Sequence, residues 1–158
     1  MIFSGRVQLR SSDRGRAGIG PPGETEIQRL NPGRESRILR VTGWKTLARG
    51  SLNLVVEDDV IERLAGFEPT LEEPAAGIVY PSSYEHIPKI RKAYWYYAAT
   101  ARRDGKEESV LVRRAIVPLP RVVELFSAVS LKDTFNLAPN DVISVVVHAS
   151  RRASESGV

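Results

Sequence analysis

One stretch of the sequence decides the fold, Gly50-Ser51-Leu52-Asn53-Leu54-Val55-Val56. Because side chains alternate across a β-strand, the apolar residues at even positions share one face and the residues at odd positions share the other. The face formed by the even positions is predicted to pack on the core. The odd face begins with Ser51 and Asn53, two neutral oxygen donors beside a glycine that permits close backbone approach. Such a pair could hold one Mg²⁺ that keeps most of its waters and takes further ligands from phosphates. The alternative is a strand whose first polar residues simply face water.

The composition is typical of one globular domain. The chain has 158 residues, of which 42% are hydrophobic and 27% charged, enough to bury a sizeable core. We predict a single domain over residues 1–149 and a disordered tail over 150–158, where no apolar pattern remains. No apolar run approaches the ~20 residues that span a membrane, and the N-terminus lacks the pattern of a signal peptide. A cytoplasmic protein without membrane contact is therefore expected, and its oligomeric state stays open.

The cysteine content and the charge narrow the possible chemistry. The absence of cysteine excludes disulfides, thiolate metal sites and a cysteine nucleophile. The net charge is +4, and residues 1–49 carry ten Lys or Arg against four Asp or Glu, whereas the remaining residues carry thirteen against fifteen. This distribution predicts an anionic partner at the first third of the chain, either a nucleotide phosphate or a nucleic-acid backbone. An arginine-rich surface that only keeps the protein soluble is the alternative.

Short strands separated by Gly and Pro turns predict a compact β-barrel with minor helices. Asp104-Gly105 predicts a tight hairpin, and Ser130 is expected to cap a short helical turn. A second helix is expected to begin at Asp59, in a capping box with Glu62, and to stop near Gly66. Strands are predicted at 2–9, 37–41, 50–56, 77–80, 93–98, 109–117, 122–126 and 142–149.

Glu124 is the lone charge in the apolar strand predicted at 122–126. A carboxylate flanked by β-branched and aromatic residues either faces solvent or meets a partner. On a barrel rim it could accept hydrogen bonds from a bound polyol, and exposure to solvent is the alternative. The sequence contains no serine-triad, zinc or protein-kinase motif.

The order of these features resembles the archaeal-type CTP-dependent riboflavin kinases. That family has a glycine-rich nucleotide loop after its first strand, a Gly-Thr-Leu-Asn motif, a strand carrying a glutamate, a Leu-Arg pair and a closing Leu-x-x-Gly-Asp-x-Val pattern. Here the stretch 50–53 matches the second feature with serine for threonine, and Glu124 lies in the matching strand. Leu131-Lys132 stands where the Leu-Arg pair is expected, and residues 135–142 are similar to the closing pattern. The resemblance covers residues 5–148 in matching order.

The resemblance implies a six-stranded Greek-key β-barrel of the cradle-loop type with one or two short helices. It also implies transfer of the γ-phosphate of CTP to the 5′-hydroxyl of riboflavin, giving FMN. By position, Ser51 and Asn53 would bind Mg²⁺, and Glu124 would bind the flavin side chain. The residues that would contact the nucleotide are Arg10, Ser11, Ser12, Asp13, Arg14, Gly15, Arg16, Val129, Ser130, Leu131 and Lys132.

Four departures from the family pattern bear on substrate choice. The glycine-rich loop is replaced by residues 10–14, in which two arginines could bind phosphate through their side chains. Ile116 falls where the family has a threonine associated with flavin binding. Lys132 keeps a charge without the planar guanidinium, and Asn140 replaces a glycine but also tolerates positive φ. No catalytic base is identified.

Three functions therefore stay open at this point. The first is a nucleotide-dependent riboflavin kinase, and the second is a non-catalytic barrel of the same fold. That barrel could hold a flavin or a nucleotide, or bind DNA through the arginine-rich first third of the chain. The third is a kinase for another small alcohol.

Overall fold

The computed structural model describes residues 1–8, 33–74, 93–115 and 121–152, with the backbone of two short strands at 78–79 and 89–90. Six antiparallel strands close a barrel in the order β6-β7-β8-β2-β1-β9, in which β9 pairs back onto β6. Their bounds are β1 Ile2–Gln8, β2 Leu52–Val56, β6 Tyr94–Arg103, β7 Lys106–Ala115, β8 Val122–Phe126 and β9 Val142–Val147. The short strand β3, Leu71–Glu73, pairs with the outside of β6, and β4 Ile78–Val79 pairs with β5 Lys89–Ile90.

The connectivity is that of a Greek key. Strands β6, β7 and β8 are neighbours in chain order, and β9 returns to lie beside β6. The predicted mainly β fold, a six-stranded Greek-key barrel, is confirmed. The hairpin prediction is confirmed as well, because Asp104 and Gly105 join β6 to β7 with φ of 50° and 77°. Two central residues with positive φ are typical of a type I′ turn, whose twist matches that of the paired strands.

The barrel interior is filled by the alternate residues of each strand. In β1 every second residue is buried, including Phe3 and Val7, and Leu54 of β2 is fully buried beside them. Gly5 lies between these positions, and a Cβ on it would approach the Leu54 Cβ to 2.9 Å. The close packing of β1 on β2 therefore requires glycine at this position.

Two helices close the two ends of the barrel. Helix α2, Asp58–Ala65, follows β2, and helix α3, Leu131–Thr134, follows β8. Because β2 and β8 are antiparallel, the two helices lie at opposite ends, and each inserts apolar side chains into the core. The N–H of Asp133 donates to the Ser130 side chain at 3.3 Å, which confirms that cap. The predicted capping box of α2 is wrong, since its N-cap is Glu57 and no side chain caps it.

The strand predicted at 37–41 is instead part of a helix, α1, which spans Arg34–Thr42. A helix places Arg34 and Ile38 on the same face, four residues apart, and both are buried. Gly43 ends the helix with φ of 76°, and its N–H donates to the Leu39 carbonyl. Ile38 packs with Tyr96 and two neighbours on the outer face of the barrel, so this part of the wall is buried on both sides.

The tail predicted to be disordered from residue 150 is ordered through Arg152. Arg151 forms an isolated β-bridge with Phe67, and the backbone N–H of Arg152 donates to the Gly66 carbonyl at 2.9 Å. These hydrogen bonds hold the chain after β9 against the loop that follows α2. Residues 153–158 lie outside the described part of the chain. Among the described helices, none is long and apolar enough to cross a membrane.

Candidate functional site

Three residues singled out from separate motifs meet on the outer face of the barrel. Asn53 of β2 lies directly opposite Glu124 of β8, and Glu124 lies directly opposite Arg113 of β7. Ser51 precedes β2 on the same face as Asn53, as strand alternation predicts. Its Oγ donates a hydrogen bond to Glu124 Oε2 at 2.6 Å, although the two residues are 73 positions apart. The barrel closure thus brings Ser51, Asn53 and Glu124 into one cluster.

Glu124 is held between two donors rather than left in open solvent. Ser51 donates to Oε2, and Arg113 Nη2 donates to Oε1 in an ion pair. The Glu124 side chain is only 23% exposed, so the prediction of simple solvent exposure is wrong. A hydroxyl that gives its proton to a carboxylate keeps its two lone pairs for another partner. The arrangement therefore turns the Ser51 oxygen into an acceptor or a metal ligand.

Asn53 is buried, with 5% of its surface exposed. Its Oδ1 has no hydrogen-bond partner among the residues that the structure describes. A buried polar atom without a partner lowers the free energy of unfolding by roughly 1–3 kcal/mol. Because Asn53 is buried, the alternative in which it simply faces water is wrong. An unpaired amide oxygen beside a serine oxygen fits a hard cation such as Mg²⁺, which prefers oxygen ligands and keeps several waters. The described residues contain no cluster of three or more Asp, Glu or His that could hold a metal by itself.

Arg113 belongs to this cluster but is not among the residues predicted from the sequence. It is 7% exposed, and its guanidinium lies 4.1 Å from the ring centroid of Tyr94 and 5.0 Å from that of Phe126. Burial alone would lower the pKa of Arg113, but the Glu124 carboxylate, together with Tyr96 and Tyr94, outweighs burial and raises it, so the side chain stays charged. Its Nη1 is buried without a partner among the described residues. Arg113-Arg114 inside an apolar strand was a usable signal, but only the β7–β8 register shows which arginine meets Glu124.

A second cluster of buried polar side chains, formed by Arg34, Glu73 and Tyr96, lies beside the site and attaches α1 to the barrel. Arg34 donates two hydrogen bonds to Glu73, at 2.7 Å and 2.5 Å, and the Tyr96 hydroxyl donates a third at 3.1 Å. Burial alone would raise the pKa of Glu73, but the hydrogen bonds and charge of Arg34 outweigh it and hold the pKa below its usual value. Burial raises the pKa of Tyr96 to about 12, so its hydroxyl remains a donor. Tyr96 is also directly opposite Arg113, which places the two polar groups side by side.

The segment predicted to contact a nucleotide after β8 divides into exposed and buried residues. Val129, Ser130 and Lys132 are exposed, whereas the Leu131 side chain is 5% exposed and packs in the barrel core. Leu131 therefore has only its backbone to offer a ligand. The segment leaves the barrel at the end of β8 that lies beside Ser51, since Leu52 is opposite Leu125.

The other predicted nucleotide contacts, residues 10–16, lie outside the described part of the chain, as does Ile116. Gln8, the last described residue before them, is directly opposite Asn53. The chain therefore enters that segment from a position beside the candidate site.

A separate pocket of about 410 Å³ lies at the β6–β7 hairpin, away from this cluster. Two pairs of its charged residues form ion pairs within the pocket, Arg102 with Glu107 at 2.9 Å and Arg103 with Asp104 at 3.6 Å. Because its ion pairs are largely open to solvent, this pocket gives less support to a function than the buried cluster around Asn53 and Arg113.

In comparisons with known proteins, no family model and no curated sequence matches this chain.

Proposed function

We propose that this protein is a Mg²⁺-dependent phosphotransferase that moves the γ-phosphate of CTP, or of another nucleoside triphosphate, to the 5′-hydroxyl of riboflavin, giving FMN. The observation that carries the proposal is the meeting of Ser51, Asn53 and Glu124, with the Asn53 oxygen buried and unpaired among the described residues. These are the residues that the family resemblance assigns to the metal and the flavin. Convergence of the three on one wall of the barrel is what such a site requires.

Ser51 Oγ and Asn53 Oδ1 would hold the metal ion. Both are neutral oxygens, and the Ser51 proton already lies in its hydrogen bond to Glu124, so the lone pairs face a ligand. A bound Mg²⁺ would neutralise negative charge on the triphosphate. The protein supplies few ligands of its own, as expected for an ion that keeps waters and binds phosphate oxygens.

Glu124 orients the acceptor. An ionised carboxylate accepts several hydrogen bonds at once, so Glu124 can take one from a hydroxyl of the flavin side chain while it holds those from Ser51 and Arg113. Arg113 is a positioning residue, because its ion pair fixes the carboxylate and its own position is fixed by two aromatic rings. Lys132, which is exposed after β8, contributes a positive charge to the nucleotide. Positioning and charge neutralisation supply most of the rate in phosphoryl transfer.

A second candidate is a barrel of the same fold that binds a flavin, a nucleotide or DNA without turnover. One observation favours it: the Glu124 carboxylate is committed to Arg113 and Ser51 instead of standing free as a base. Binding without product formation would identify this function. A kinase for another alcohol would bind the nucleotide and ignore riboflavin.

The test is chromatographic detection of FMN after incubation with riboflavin, Mg²⁺ and CTP, ATP or GTP supplied separately. We expect FMN with at least one donor, and a loss of at least about a hundredfold in Asn53→Ala, because a metal ligand is removed. Omission of Mg²⁺ should have the same effect as the substitution. If correctly folded wild-type protein makes no FMN with any donor, the riboflavin kinase proposal fails.

A further inference from the structure

A second group of arginines lies on the opposite face of β7 from the site. Arg114 follows Arg113 in the chain, but its guanidinium contacts Tyr97 and Trp95 instead of Glu124. Arg152, from the chain after β9, stacks on the same indole with its guanidinium carbon 4.0 Å from the ring centroid. We name Trp95, Tyr97, Arg114 and Arg152 the basic end cluster.

Arg114 is a buried cation without a carboxylate partner among the described residues. It is 6% exposed, and it donates hydrogen bonds to neutral oxygens, the Tyr97 hydroxyl at 3.5 Å and the Ala115 carbonyl at 3.1 Å. The other two buried arginines of the described chain, Arg34 and Arg113, each form an ion pair with a glutamate. Burial of an unpaired charge is costly, so Arg114 stands out as a cation that lacks its anion.

Arg152 brings a second guanidinium to the indole of Trp95. Its Nε donates to the Phe67 carbonyl at 3.2 Å, which fixes the side chain across the indole of Trp95. Burial raises the pKa of the Tyr97 hydroxyl, which accepts a hydrogen bond from Arg114 Nε at 3.5 Å. A neutral tyrosine hydroxyl adds a further donor.

The nearby acidic residues leave this charge uncancelled. Glu68 is close enough to influence the pKa of Tyr97, and Glu72 lies opposite Trp95 across β3 and β6. Within the described part of the chain, neither forms an ion pair with Arg114 or Arg152. Arg151, over the ring of Phe67 at 5.8 Å, adds another positive charge at the edge.

We propose that the basic end cluster is a second, metal-independent anion site that binds a phosphate group, supplied by a free nucleotide or by a nucleic-acid backbone. A planar guanidinium binds two oxygens of one anion, and a phosphate has enough oxygens for two such groups, whereas a carboxylate has two oxygens in all. The indole of Trp95 holds both guanidiniums by cation–π contact. This site is distinct from the Ser51–Asn53 cluster, and its failure would leave the proposed phosphotransferase untouched.

Trp95 makes the proposal measurable by fluorescence. The chain has two tryptophans, so a Trp44→Phe protein reports on Trp95 alone. We would titrate it with inorganic pyrophosphate and, separately, with oligothymidylate, in EDTA so that no metal-dependent site is occupied. A saturable change in Trp95 emission is expected with at least one probe. Arg152→Gln should weaken that binding by about tenfold or more, since a charge-assisted hydrogen bond is lost.

Arg121→Gln is the matched control. Arg121 is an exposed arginine that pairs with Asp58 on α2, so its loss changes the net charge equally without touching Trp95. Arg114→Lys, which keeps the charge but loses the planar fork, should also weaken binding. If the affinity for oligothymidylate falls steeply with added salt, the phosphate group comes from a nucleic-acid backbone. If pyrophosphate binds as tightly as oligothymidylate, the phosphate group comes from a free nucleotide. The proposal is overturned if neither probe alters Trp95 emission, or if Arg121→Gln and Arg152→Gln weaken binding equally.

Discussion

Asn53 is a single residue whose buried side chain costs the protein stability. Its side-chain oxygen is buried beside Glu124 and has no hydrogen-bond partner in the described chain. An unpaired buried oxygen destabilises the ligand-free protein, and it contributes favourably to binding once a cation or a hydrogen-bond donor occupies the position beside it. The sequence predicted the oxygen and its spacing from Ser51, but not its burial, because an odd position at the start of a half-exposed strand is equally consistent with solvent contact.

Asn53→Leu should therefore stabilise the metal-free protein while abolishing FMN formation. Replacement of an unpaired buried amide oxygen by a methyl group of similar shape should raise the free energy of unfolding by about 1 kcal/mol. Urea denaturation in EDTA measures this, with Asn53→Asp as the companion variant, which keeps an oxygen but adds a charge beside Glu124. A fall in stability for Asn53→Leu would mean that the oxygen is already satisfied and would remove the argument for a metal ligand.

Helix α1 shows where element-level prediction fails. The run from residue 37 to residue 41 is apolar enough for a strand, and Gly43 can end either kind of element. Tertiary contacts select the helix. Only helical spacing brings both Arg34 and Ile38 to the barrel wall, where Arg34 pairs with Glu73 and Ile38 packs on Tyr96. The strands with clean alternation and the Asp104-Gly105 turn were predictable because their signals are local. The partner of Arg34 is 39 positions away.

The attachment of α1 should depend on pH through Glu73. Because the folded-state pKa of Glu73 lies below its ordinary value of 4.5, the unfolded chain takes up a proton first as the pH falls. The contribution of Glu73 is thus fully present above that value and is lost as the pH falls through the lower folded-state pKa. Glu73→Gln should cost about 3 kcal/mol at neutral pH and flatten the acid side of a plot of unfolding free energy against pH. Glu72→Gln, at the exposed neighbouring residue, should leave the stability at neutral pH and its fall at acid pH unchanged. If the stability of Glu73→Gln falls as steeply at acid pH as that of the wild type, Glu73 is not the group responsible.

At the scale of the whole molecule, barrel closure creates the site. Ser51 precedes the second strand and Glu124 lies in a late one, and only the Greek-key order, with β8 beside β2, brings their side chains to 2.6 Å. Short strands separated by Gly and Pro turns predicted a barrel, and the family resemblance implied that it is a six-stranded Greek key. Neither could supply the β7–β8 register that adds Arg113, because register depends on how the strands pack together. The basic end cluster escaped prediction for the same reason, since Trp95 and Arg152 belong to distant segments.

The proposed function requires that the Ser51 oxygen, presented by its bond to Glu124, serve phosphoryl transfer to riboflavin. The most direct measurement is the rate of FMN formation by Ser51→Thr compared with Ser51→Ala, in the presence of Mg²⁺ and the preferred nucleotide. Threonine keeps the hydroxyl and its donation to Glu124, so its rate should stay within about tenfold of wild type, while alanine should lose at least about a hundredfold. Equal rates in the two variants, with folding intact, would contradict the account.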